Sequence, residues 1–129
     1  MLSLSPAVRI WLCLRPTDMR KSFDGLAALT REVLRQDPIA SGHLFVFVSR
    51  RADRLKALWW DRDGYALYAK RLERGTFRLA AGEGEAVVLS PAELAMLLEG
   101  IDPPAAARRR KRLTINNGND QCARLDGKC

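Results

Sequence analysis

Histidine occurs once and cysteine three times in these 129 residues. Cys13, Cys122 and Cys129 form no C-x-x-C pair and, with His43, no convincing metal-ligand set. They read as free thiols in a reducing cytoplasm. No run of about 18 apolar residues exists, so no segment is expected to span a membrane. The start, MLSLSPAVRIWLCL, lacks both a basic opening and a long apolar run before a cleavage site, so it does not read as a signal peptide. Also missing are G-x-x-x-x-G-K-[ST], G-x-S-x-G and H-E-x-x-H. Asp18, Asp24, Asp53, Asp61, Asp63 and Glu73 are the acids from which a metal-dependent nuclease would draw. Asp61 and Asp63 suit a turn for backbone reasons, however, and Asp18 suits the cap of a helix. The reading is no enzyme, no cofactor and no metal.

One stretch lacks charge of one sign. Residues 79–107 hold five acids and no base, a net of −5. Residues 50–78 hold nine basic and four acidic side chains (+5), residues 108–129 sum to +5 and residues 1–49 to +2, within a total of +7. Two basic regions separated by an acidic one favour nucleic acid or an acidic protein face. No basic amphipathic helix with aromatic anchors argues for a membrane surface.

The 47% apolar content suits one compact domain. VRIWLCL (8–14) alternates as a strand with one well-buried face. Phe23, Leu26, Ala27, Thr30, Val33 and Leu34 mark an amphipathic helix over about 20–36, stopped before Pro38. HLFVFVS is apolar on both faces and predicts a central strand. Leu55–Trp60 and Tyr65–Leu72 flank Asp61-Arg62-Asp63-Gly64 as a hairpin, with Gly64 free to take positive φ. Gly75 introduces a strand TFRLAA, and GEGE leads into another, AVVL. Ser90-Pro91-Ala92-Glu93 predicts a capping box, a helix striped by Leu94, Leu97, Leu98 and Ile101, and an end at Gly100 and Pro103. The order β-α-β-β-β-β-β-α implies an α+β domain over 1–104: an antiparallel β-meander sheet with two amphipathic helices on one face. Residues 105–129 read as a disordered basic tail.

Arg20 and Lys21 fall in the predicted first helical turn, where the helix dipole disfavours cations by about 0.3–1 kcal/mol. Either an anion such as phosphate binds there, or the two side chains bend back to Asp18 or Asp24. In the hairpin, Lys56, Leu58 and Trp60 share one strand face and Leu55, Ala57 and Trp59 the other. Tyr65, Leu67, Ala69 and Arg71 likewise oppose Ala66, Tyr68, Lys70 and Leu72. Cations beside aromatic rings suit phosphate contacts with base stacking, and also suit ordinary stems lying over a half-buried sheet. With Arg50, Arg51, Arg54 and Arg74, and with Arg108, Arg109, Arg110, Lys111 and Arg112 in the tail, the pattern favours nucleic acid.

The segments PTDMRKSFDGLAALTREVL, GHLFVFVSRRADRLKALWWDRDGYALYAKRLERGTF and LSPAELAMLLEGID, in this order, resemble the small accessory protein of insertion sequence sixty-six type elements, the TnpB or second-open-reading-frame family. The resemblance runs from about Val8 to Asp102, after which the chain departs from the family pattern. It implies a role in transposition beside a separate, larger transposase, and brings no catalytic residues with it. Two expectations follow. The chain binds the element's DNA ends through the basic residues above, with the transposase and other element-encoded protein as partners. Alternatively it is an adaptor for the transposase without DNA contact, in which case Trp59, Trp60 or Tyr68 should stand exposed as anchors. The acidic segment 83–102 offers a complementary face for self-association.

Overall fold

In this computed structural model, residues 7–79 and 82–100 are described. The alternating apolar positions around Trp11 make strand β1 (Ile10–Cys13), and the continuous run LFVFV makes β2 (Leu44–Val48), buried along its whole length. β3 (Arg54–Asp61) and β4 (Gly64–Arg71) form the hairpin, and β5 (Ala86–Leu89) is short. The sheet runs β4-β3-β2-β1-β5, so the α+β class holds and β2 is central. The succession β2, β3, β4 is the expected antiparallel meander. β1 departs from it: it lies parallel to β2, with Ile10 opposite Leu44, and antiparallel to β5. Parallel neighbours need a long crossover, and residues 14–43, which hold the first helices, supply one.

That crossover contains α1 (Phe23–Leu29), continued by a π-helical turn over Thr30–Leu34. The helix starts at Phe23, later than the expected residue 20. Phe23, read from its spacing as core, therefore sits at the first helical position with 44% of its surface exposed. Thr30 is buried, its hydroxyl donating to the Leu26 carbonyl at 2.8 Å. The wide turn closes on Arg35, left-handed at φ 57°, as the Gln36 N–H reaches the Thr30 carbonyl at 3.3 Å. A short α2 (Pro38–Ser41) follows where no helix was expected. Its signal is local: Asp37 accepts from the Ile39 and Ala40 N–H groups, Pro38 fits the first turn, and Gly42 ends it at φ 68°. α3 (Pro91–Glu99) carries the expected capping box, with Ser90 Oγ accepting from Glu93 N at 3.0 Å and Glu93 Oε1 from Ser90 N at 2.9 Å.

The helices lie on opposite faces of the sheet, not on one. Leu94 and Leu97 of α3 pack with Ile10, Leu12, Leu44, Val46, Leu55 and Ala57. Leu26, Ala27 and Leu34 pack on the other side with Cys13, Phe45, Phe47 and Leu58. β2 sends apolar side chains both ways, and each face must be covered to bury them.

Two local readings change. Arg62, at φ 60°, takes the left-handed position of the hairpin turn, while Gly64 does not adopt positive φ. The strand read at TFRLAA is not formed at residues 76–79; Phe77 instead plugs the α3-side core, its N–H donating to the Ala52 carbonyl at 2.6 Å. Residues 80–81 of that segment, and the tail with Arg108, Arg109, Arg110, Lys111 and Arg112, lie outside the described residues.

Candidate nucleic-acid interface

The basic loop between β2 and β3 is a built structure. Ala52 N–H donates to the Ser49 carbonyl at 2.9 Å, closing a turn with Arg50 and Arg51 at its centre. Ser49 then serves twice: its Oγ donates to Asp53 Oδ1 at 3.1 Å and accepts from Arg54 N at 3.1 Å. Ser49 N–H meets the Arg54 carbonyl at 3.0 Å. Ala52 is held at φ 60°, a left-handed conformation that costs a non-glycine residue about 1–2 kcal/mol. The bonds from Leu72 N–H to Asp53 O (2.7 Å) and from Phe77 N–H to Ala52 O fix the far side of the loop. With the backbone so tied, Arg50, Arg51 and Arg54 are left exposed, and none forms an ion pair among the described residues.

Against this loop lies the segment before α1. Thr17 N–H bonds to the Val48 carbonyl at 3.0 Å, and Lys56 Nζ reaches the Lys21 carbonyl at 2.8 Å. Asp18 and Arg20 form a closed local unit. Asp18 Oδ1 accepts from Arg20 N at 2.9 Å, and the guanidinium grips the carboxylate with Nη2–Oδ2 at 2.7 Å. Those hydrogen bonds from Arg20 lower the Asp18 pKa to about 2. Arg20 thus bends back to Asp18, and neither Arg20 nor Lys21 lies inside the helix. Asp18, Met19, Arg20, Ser49, Arg50, Arg51, Asp53 and Arg54 together line one shallow cleft.

The strands divide the remaining cations. Arg54 and Arg71 are directly opposite in register, both exposed, on the α1 side of the sheet with Lys56. Like charges so placed destabilise a strand pair. Arg71 partly offsets this through Glu73 at 3.3 Å. Lys70 is on the other face, where its Nζ donates to the Leu98 carbonyl at 2.7 Å and satisfies the end of α3. Arg74 is exposed in the loop that follows β4. The structure therefore gathers Arg20, Lys21, Arg50, Arg51, Arg54, Lys56 and Arg71 at one end of the sheet, and separates Lys70 from them.

The aromatic candidates are half-buried rather than exposed. Trp59 and Tyr68 pack against the α3-side core. Trp60 stacks edge-on with Tyr65, ring centroids 5.1 Å apart, and its indole N–H is held by the Arg62 carbonyl at 3.1 Å. Sequence reasoning passed over Ser49 and weighed Asp53 only as a nuclease acid, yet the two shape the loop; the S-x-x-x-D spacing before a strand was the available signal. Among the described residues no group of His, Cys, Asp or Glu could hold a metal ion, and no helix is long and apolar enough to cross a membrane.

Comparison with known proteins bears on this arrangement. The family model described as IS66 Orf2 like protein matches residues 8–108, six residues past the point where the resemblance was read to end. Protein y4hO of Sinorhizobium fredii is 45% identical over 102 residues, covering 79% of this chain and 88% of the relative. Protein y4jC of the same organism is 37% identical over 102 residues, covering 79% and 86%. No solved structure matches the chain.

Proposed function

The chain belongs to the IS66 Orf2-like family, accessory proteins of insertion-sequence transposition, and on that premise we propose that it acts without catalysis by binding DNA phosphates at the Ser49–Arg54 end of the sheet. The observation that carries the reading is the hydrogen-bonded loop that exposes Arg50, Arg51 and Arg54 without ion-pair partners among the described residues, beside a directly opposed Arg54–Arg71 pair. Such an arrangement leaves cations uncompensated where a phosphate would relieve the repulsion, and the tied backbone lowers the ordering cost of contact. The protein then holds element ends, or brings the transposase to them, while the transposase performs strand transfer.

Fluorescence anisotropy tests this with labelled duplex carrying the element ends, against scrambled duplex, over a salt series. Full-length chain is compared with a chain ending at Pro104. Binding that survives truncation, with a log–log salt slope of about 0.9 per phosphate contact, supports the loop as the DNA site. Binding that vanishes with the tail removes it, and leaves the adaptor role toward the transposase.

A further inference from the structure

Among the described residues, β4 and β5 are the two edge strands of the sheet, and they differ in charge. Gly64–Ala69 of β4 contains no charged residue, proline or bulge, and its pairing with β3 is unbroken from Arg54–Arg71 to Asp61–Gly64. AVVL of β5 also lacks charge and proline, and Val88 is 44% exposed. Edges of soluble sheets are usually blunted by such devices. Beyond these apolar stretches, β4 ends in Lys70 and Arg71, while Glu83 and Glu85 precede β5.

We propose that copies of this chain associate head to tail, the β4 edge of one pairing with the β5 edge of the next. Strand direction allows it. β1 and β2 are parallel, β3 reverses and β4 reverses again, while β5 opposes β1. β4 and β5 thus run in opposite directions, and a copy displaced along the sheet presents an antiparallel partner.

The bonding phase agrees as well. The Leu72 N–H to Asp53 carbonyl bond lies one step beyond the Arg54–Arg71 pair. Alternation in an antiparallel ladder then turns the backbone groups of Tyr65, Leu67, Ala69 and Arg71 away from β3. By the same argument the Leu14 N–H to Glu85 carbonyl bond turns those of Ala86 and Val88 away from β1. Leu67 and Tyr65 pack on the α1 side, and so does Ala86, so both outward sets point their side chains to the same face. With Val88 opposite Leu67 and Ala86 opposite Ala69, the turn carrying Glu83 and Glu85 comes beside the Lys70–Arg71 end of β4. Glu85 holds Arg15 at 3.2 Å and Arg71 holds Glu73 at 3.3 Å within each copy, so opposite charge biases the direction of pairing without forming a new ion pair. A β5–β5 pairing instead joins two edges in a segment, 82–100, that has no basic residue. β5 supplies only two outward residues, so the association is weak and open-ended.

Sedimentation velocity on the full chain without DNA, from about 1 μM to about 1 mM, tests the pairing independently of the DNA reading. The expected result is a sedimentation coefficient that climbs with concentration and does not level off at a dimer. Ala69→Pro blocks one edge and Val88→Pro the other, each removing an N–H that β3 or β1 does not use. Each variant alone should be monomeric, and an equimolar mixture should form a dimer and nothing larger. Should circular dichroism show either proline variant unfolded, Leu67→Lys and Val88→Lys take their place with the same expectation. A wild-type chain that stays monomeric overturns the proposal. So does loss of association in one variant with none in the other, which marks a symmetric edge, or association that both variants retain.

Discussion

The Ser49–Arg54 loop and the strands that follow it hold their cations in opposite ways. In the loop, side-chain and backbone bonds are spent on Ser49, Ala52 and Asp53, and Arg50, Arg51 and Arg54 project from a fixed frame. In the strands, Lys56 and Lys70 each donate to a carbonyl beside a helix end, that of Lys21 just before α1 and that of Leu98 in the last turn of α3. The first group contributes field without contributing much to the fold, and the second keeps its charge while also holding the fold together. Net charge alone cannot make that distinction, because a lysine bound to an orphan carbonyl still counts as +1.

The sharpest break would come from the loop. Replacing Arg50, Arg51 and Arg54 together with Ala should weaken duplex binding about 10²-fold near 0.15 M salt and make the salt slope shallower by about 2–3. Stability should move by less than about 0.5 kcal/mol, as for other surface changes. Anisotropy and urea unfolding on one preparation read both quantities. Undiminished affinity would erase the difference between loop and strands.

Lys70→Met should give the mirror image. It removes a charged hydrogen bond and a cation at the end of α3, costing about 1.5–3 kcal/mol in urea unfolding. DNA affinity should shift less than about threefold. A large loss of affinity in a stable protein would return Lys70 to the DNA site. Lys56→Met is expected to fall between, with about 0.5–1.5 kcal/mol lost, because its bond to the Lys21 carbonyl is more exposed and lies beside the cleft.

Much of this was legible in the sequence, and the rest failed for identifiable reasons. Period-two alternation set the faces of β3 and β4 correctly, down to Lys70 opposing Arg71, because side-chain direction in a strand is a local property. The α3 cap was likewise written in four consecutive residues. The side on which each helix packs was not, since β2 is apolar in both directions and accepts a helix on either face. Nor could the sequence sort bound lysines from free arginines. Lys56 and Lys70 find their carbonyls 35 and 28 residues away, through contacts that exist only once the sheet and helices have assembled.

Asp18 offers the smallest and most discriminating change. Its carboxylate holds Arg20 on the rim of the cleft and subtracts one charge from it. Asp18→Asn keeps an oxygen for the Arg20 N–H yet gives up the ion pair, so Arg20 joins the free cations. DNA affinity should rise about two- to threefold and the salt slope steepen by up to about 0.9, one phosphate contact. Acid cannot mimic the substitution over an ordinary range. The Asp18 pKa lies at about 2, against 3.8 for the unperturbed group. A depressed carboxylate pKa adds stability above its unfolded value, and that contribution fades only as pH drops through the folded one. Between pH 4 and 8 the pair therefore stays closed, and wild-type affinity should show no step there from Asp18. If Asp18→Asn instead weakens binding, then Arg20 works in its clamped position, and the line between engaged and free cations does not run through this pair.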